Sequence, residues 1–375
     1  MSLWMSANAV SPQLAEIWEL GQSQAVLLTT MVQIGFVVGT AVAAFLNLAD
    51  LFNNRYYFAA SAALAAVANG LLLLQAGFGV ALVLRFMVGF FLAGVYPPAM
   101  KMIATWFKSA RGFAIGTIIG ALVIGKAFPY MIKAIGGADW QIVVAVISVF
   151  GVLASLLVLA FYRDGPHTFE KRPFSLALVK TIVAHQPTRL AIFGYLGHMW
   201  ELYAMWIWLP TFLVAAAASS GIENQALIDL TSFLAIAAGA LGCIVGGIVA
   251  DRVGRGFLVN LCMIISGACC LLIGFVFGGP FWLVATVAIV WGVFVVADSA
   301  QFSTMVTEVA PKHAVGTALT LQTSIGFCLT IVTIQAIAWL EPVLGWKLAF
   351  TILAAGPLFG VISILRFIRV KNTEP

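Results

Sequence analysis

Gly247-Ile-Val-Ala-Asp251-Arg252-Val-Gly254-Arg255 is a short polar hinge between two long apolar runs. A degenerate copy, Leu46-Asn-Leu-Ala-Asp50-Leu-Phe-Asn-Asn-Arg55, stands about 200 positions earlier. Two further pairs keep nearly the same offset: Gly112-Phe-Ala-Ile-Gly116 with Gly316-Thr-Ala-Leu-Thr320, and Asp139-Trp140-Gln141 with Gly345-Trp346-Lys347. Matches in one register argue for a chain built of two similar halves.

Composition fixes the solvent of those halves. The chain is 62% hydrophobic and 9% charged, with a mean hydropathy of +1.07. Soluble domains carry about 25% charged residues, so this surface cannot be meant for water. A bilayer core takes roughly 20 apolar residues per helix. Runs of that kind lie at 24–48, 56–76, 79–104, 112–134, 141–161, 190–213, 226–249, 257–278, 281–303, 316–339 and 347–367. Residues 1–17 hold Ser2, Ser6, Asn8, Ser11, Pro12 and Gln13 and stop at Glu16, too short for a span. They read as the outer end of a first helix whose beginning lies upstream; a secretory signal, the competing reading, would have a basic leader. The expectation is an all-α integral membrane protein of about twelve helices, the first incomplete, and the runs above are numbered as spans two to twelve.

The cations set the orientation. Arg55, Lys108, Arg111, Arg163, Lys171, Arg172, Lys180, Arg189, Arg252, Arg255, Lys312, Arg366, Arg369 and Lys371 sit in one set of loops and the C-terminal tail, whereas the opposite loops hold little beyond Lys133 and Lys347. The positive-inside rule places the first set and the C-terminus in the cytoplasm, in a bacterial inner membrane. The pI of about 9.0 is then a consequence of topology, and no nucleic-acid partner is expected.

The polar stretch Arg163-Asp-Gly-Pro-His167 and onward to Arg189 falls between spans six and seven. It divides the chain into a six-helix bundle at 1–162, a cytoplasmic linker at 163–188 and a second bundle at 189–375. Two parallel repeats about a central cavity, with substrate near the midplane, are a transporter architecture.

At this point the residues carry a family resemblance. Gly247 to Arg255 resembles the signature that the major facilitator superfamily places between helices two and three and again between eight and nine, and Arg85-Phe-Met-Val-Gly89-Phe-Phe-Leu-Ala-Gly94 is similar to a second signature of that superfamily. The first copy departs from the pattern: Leu46 and Asn53 replace glycines and Leu51 an arginine, so only Asp50 and Arg55 carry over. The resemblance implies gating contacts by Asp50, Arg55, Asp251, Arg252 and Arg255, a lock that a bistable carrier makes and breaks; a plain interface anchor is the alternative. Tyr96-Pro97-Pro98 and the Trp106-Phe-Lys108-Ser-Ala-Arg111-Gly112 loop look like the nitrate/nitrite- and cyanate-like branches, although spans two and eight lack the arginines with which nitrate carriers clamp their ligand.

Ionisable groups inside spans are the remaining pointer to a site. A charge in hydrocarbon costs at least about 2.5–3.5 kcal/mol, so such residues face a watery cavity or a partner. Lys126 follows Gly116, Gly120 and Gly125 on span five and is the first choice for meeting an anion, against a structural ion pair. Lys101, after the proline pair, is a second choice, or it snorkels to the interface. Arg85 is read as structural or coupling. His198 and Glu201 stand at i and i+3 on span seven and can share one face, and with Asp298 of span ten they are candidates for proton coupling, with a buried hydrogen-bonded pair as the alternative. Asn8, Gln33 and Gln322 extend the polar lining expected to bind substrate.

Other chemistries lack their residues. Cys243, Cys262, Cys269, Cys270 and Cys328 lie in apolar runs without metal-like spacing, and neither a phosphate-cradling loop nor a nucleophile elbow is present. No catalytic residue, metal or cofactor is expected. The reading is a secondary transporter, not an enzyme, moving a small anionic solute by alternating access, acting as a monomer in the bilayer and using protons as the candidate coupling ion. An exporter of neutral or cationic compounds is the alternative, and a transporter-like sensor without turnover is the alternative from another class.

Overall fold

The computed structural model describes residues 1–107, 111–136, 139–167 and 175–373, and among them there are helices and no strands. Lys108, Lys171 and Arg172 lie outside the described residues, as does the side chain of Asp50. Among the described residues eleven helices are long and apolar enough to cross a membrane, and they coincide with the expected runs: Ser23–Phe45, Asn54–Leu74, Phe78–Ile103, Phe113–Ile135, Trp140–Phe161, Gln186–Ser219, Gln225–Val253, Arg255–Phe275, Phe281–Val309, Val315–Leu344 and Trp346–Lys371. Residues 1–17 form two short helices, Ser2–Ala9 and Ser11–Ile17, bent at Val10 ahead of Pro12. Leu3, Trp4, Met5, Ser6 and Ala7 are buried, so this segment is part of the packed core.

Three spans read from sequence as unbroken are interrupted. Span four breaks between Phe78–Leu92 and Tyr96–Ala104. Pro97 and Pro98 have no N–H for the carbonyls of Ala93 and Gly94, which ends the first segment. Span eight breaks at Ala238, between Gln225–Ala237 and Gly239–Val253. Span ten breaks at Asp298, between Phe281–Ala297 and Ser299–Val309. Gly94 and Asp298 are again about 200 residues apart, in the register of the signature repeat.

The chain forms two compact units: Met1–Arg111 with Gly125–Lys171 and Asn224–Phe233, and Gly112–Ile124 with Arg172–Glu223 and Leu234–Pro375. Within the first, span two packs on four, three on six, three on four, and the Ser2–Ala9 helix on six. Within the second, the Gly239–Val253 part of span eight packs on ten, nine on twelve, nine on ten, and seven on twelve. The second set repeats the first, six spans later.

Glycines make the tightest crossings possible. A methyl group on Gly89 would strike the carbonyl of Val32, and one on Gly35 the carbonyl of Phe86, so spans two and four touch backbone to backbone. In the second unit Gly292 faces the carbonyl of Ala235 and Gly239 that of Gly292.

Candidate functional site

In the first unit the buried cation of span five meets the N-terminal helix one turn at a time. Lys126 is fully buried, and its ammonium stands 4.7 Å from the centre of the Trp4 ring. This is cation–π contact distance, where the face of an aromatic ring attracts positive charge. One turn on, the Asn8 amide donates to the Tyr130 hydroxyl at 2.7 Å, and Thr29 of span two donates to Asn8 Oδ1 at 3.2 Å. Trp4 and Asn8, four residues apart, therefore face Lys126 and Tyr130, also four residues apart. Gln33 is buried in the same unit, and Lys101, on the short helix after the prolines, is half-buried.

Arg85 serves the same unit differently. Its guanidinium donates to the carbonyls of Leu28 at 3.3 Å, Leu3 at 3.1 Å and Trp4 at 2.6 Å, to Ser6 Oγ at 3.2 Å and to Asn69 Oδ1 at 2.9 Å. Ser6 also donates to Asn69, whose amide reaches Ser148 of span six at 3.0 Å. A planar fork with five N–H groups is the side chain suited to satisfy so many acceptors at once.

The second unit holds two buried acids with separate surroundings. His198 Nδ1 is 2.9 Å from Asp298 Oδ1, and its Nε2 is 2.7 Å from Ser299 Oγ. That Asp298 oxygen accepts no hydrogen bond of good geometry, so its contact with the imidazole is one of proximity and charge. Glu201 is turned to other partners: Ser266 at 2.9 Å, Cys270 at 3.2 Å and the Trp291 indole N–H. The i, i+3 spacing that puts His198 and Glu201 on one face does not make them hydrogen-bond partners. Asp298, at the break in span ten, is the group the histidine meets. Gln322 of span eleven is buried and reaches Ser303 at 3.4 Å.

At the signature loop the Arg255 fork joins three side chains. It is 3.4 Å from Asp251, donates to Glu308 at 2.8 Å and to Gln301 at 2.7 Å, while Lys371 lies 3.9 Å from the other Glu308 oxygen. Arg252 is exposed. In the first copy Arg55 donates to the carbonyl of Leu159 on span six and lies 5.6 Å from the Tyr56 ring. Nearby, the Trp106 indole donates to the carbonyl of Arg163 at 3.0 Å, and Gly165 N–H donates to Thr105 Oγ1 at 3.0 Å. Burial raises the phenol of Tyr162, which packs beside these groups.

Asp229, Tyr130 and Glu308 do not stand out in the sequence as members of these clusters. Asp229, inside span eight, is 3.1 Å from Lys133 and accepts from Gln225 at 3.2 Å, all within the first unit. Lys133 had been counted only as a loop charge, and an aspartate one turn inside an apolar run was the signal for it. Tyr130 was legible only as the i+4 neighbour of Lys126. Glu308 and Gln301 lie at i+10 and i+3 from Asp298, spacings that acquire meaning only once Ser299–Val309 is known to be a separate helix.

Paired helix breaks at repeat-related positions, with buried Asp298 at the second of them, point to a multi-pass membrane protein of the transporter class. The comparisons agree: residues 1–334 match the Major Facilitator Superfamily, and the chain belongs to it. It is similar to a probable sulfoacetate transporter, SauU, of Cupriavidus necator, 26% identical over 191 residues that make up 46% of this chain and 43% of that protein. It is also similar to the MFS transporter asaE of Aspergillus flavus, 25% identical over 240 residues, 60% of this chain and 50% of that protein. The matched stretches thus span half or less of those relatives.

Proposed function

We propose that this protein carries a small organic anion, with a carboxylate or sulfonate head group, across the bacterial inner membrane by alternating access. Lys126 is its anchoring charge, and His198 with Asp298 is its proton site. The observation that carries the reading is the fully buried Lys126 ammonium set against the Trp4 ring and one turn from the Asn8–Tyr130–Thr29 network. Burying an ammonium is costly, and an incoming anion brings a full negative charge to it beside the aromatic face. The similarity to a protein named for sulfoacetate transport, a substrate bearing both head groups, supports the same class. Lys101, Asn8 and Gln33 extend the binding surface in this reading. Asp251, Arg255 and Glu308 form the cytoplasmic latch together with Arg252, and Asp50 with Arg55 is the counterpart of that loop in the first half. The chain acts as a monomer with its C-terminus in the cytoplasm.

Uptake by proteoliposomes of a panel of small carboxylates and sulfonates tests this, with Lys126→Ala in parallel. Anion uptake by the native protein should fall about tenfold to a hundredfold in the variant, since a charge-assisted contact of about 1.5–3 kcal/mol is lost. Uptake of organic cations that survives the substitution would instead establish the second reading, export of neutral or cationic compounds. Asp298 favours that alternative, because one of its buried oxygens takes no hydrogen bond.

A further inference from the structure

Tyr130 is not assigned by the sequence pattern or by the relatives, yet its hydrogen-bond accounting singles it out. A phenol oxygen accepts one strong hydrogen bond and donates one. In this protein the acceptor side is taken by the Asn8 amide at 2.7 Å. Asn8 is oriented for that task because its own oxygen accepts from Thr29 at 3.2 Å. The chain of donors therefore runs from Thr29 to Asn8 to Tyr130, and among the described residues no acceptor takes the phenol proton. Tyr130 and Thr29 are each 1% exposed, so no bulk water takes that proton.

We propose that the Tyr130 hydroxyl is the second donor of an oxyanion site whose first donor is the Lys126 ammonium. The inference rests on the anion-carrier reading above and adds a specificity-determining residue to it. Residues at i and i+4 of a helix hold their Cβ atoms about 5–6 Å apart on one face. Both side chains are long enough to converge on one head group, and a carboxylate or sulfonate offers two oxygens to receive one short bond from each. A halide is one spherical acceptor and cannot take the two donors on separate oxygens, so it gains less from the hydroxyl. The pair thus selects oxyanions over monatomic anions, with the Trp4 face closing the ammonium from the other side. Asn8 and Thr29 are positioning residues that act through Tyr130.

The test is Tyr130→Phe, which removes one oxygen and keeps the ring, measured in proteoliposomes with sulfoacetate, acetate and iodide. The expected result is a KM for the two oxyanions raised about tenfold to a hundredfold, the loss of one hydrogen bond to a charged group, with iodide transport or inhibition changed several-fold less. Thr29→Val, which leaves Lys126 and Tyr130 in place, should move the oxyanion KM in the same direction by a smaller factor. Monodispersity in detergent and equal reconstitution establish that the variants fold. Oxyanion transport that needs Lys126 but is indifferent to Tyr130→Phe would overturn the inference and leave the anion-carrier reading standing. A native protein that moves none of these anions overturns both. An equal loss for oxyanions and iodide would make Tyr130 a packing residue and likewise defeat the inference.

Discussion

Arg85 and Glu201 are both buried charges in spans, yet each is surrounded by groups that satisfy it. Arg85 is held by five acceptors and Glu201 by three donors. Removing such a charge leaves its partners buried and unmatched, at about 1–3 kcal/mol for each group. Glu201→Ala should therefore lower the thermal stability of the detergent-solubilised protein by several degrees. Glu201→Gln, which still accepts, should cost less, and a thermal-shift assay that ranks the two the other way contradicts the assignment. His198 has a different environment, with an acid on one ring nitrogen and a hydroxyl on the other. His198→Gln should leave stability nearly intact and flatten the pH profile of transport, and an unchanged profile removes it from proton coupling. All of these residues could be named from sequence, because a charge in an apolar run stands out by its insertion cost alone. Their pairings could not be. Helical spacing places His198 and Glu201 on a common face, but which neighbour each meets depends on spans nine and ten, whose distance in sequence carries no such information.

At the scale of elements, the positions of the spans were legible because a span is a length of apolar chain, and eleven runs reappear as eleven helices. The interruptions at Ala93–Val95, Ala238 and Asp298 were hidden, since an average over about 20 residues passes through a single break unchanged. Only Pro97 and Pro98 announced one of them. The glycine crossings were equally silent, because a glycine under a carbonyl and a glycine facing open space look the same in a sequence. Gly292→Ala should thus disrupt the crossing of spans eight and ten and sharply reduce the folded yield, whereas Gly79→Ala, with nothing within 4 Å of the added carbon, should be tolerated. Equal yields would mean that the crossing relaxes easily. The Lys133–Asp229 pair ties the end of span five to the beginning of span eight. Asp229→Lys should impair transport by like-charge repulsion, and the exchanged double variant, Lys133→Asp with Asp229→Lys, should recover much of it. Failure of that recovery, with both proteins folded, would show that the residues act separately.

For the whole molecule, the recurrence of pairings six spans apart, of breaks near Gly94 and Asp298 and of the signature loop fits the proposed carrier that cycles between two states. The Arg255 cluster with Asp251, Glu308 and Gln301 is suited to hold one of them, since exposed charge pairs worth about 0.2–1 kcal/mol are readily broken on each turn. Glu308→Gln should change the turnover rate while leaving substrate KM within about twofold, and a shift in KM alone would place Glu308 in substrate recognition instead. Counterflow is the most direct measurement for the anion-carrier reading: proteoliposomes loaded with unlabelled sulfoacetate or a small carboxylate are diluted into a trace of the labelled anion. The expected result is a transient accumulation of label that disappears in Lys126→Ala. Saturable binding of label with no accumulation across the bilayer would contradict it, making the protein a receptor of transporter shape.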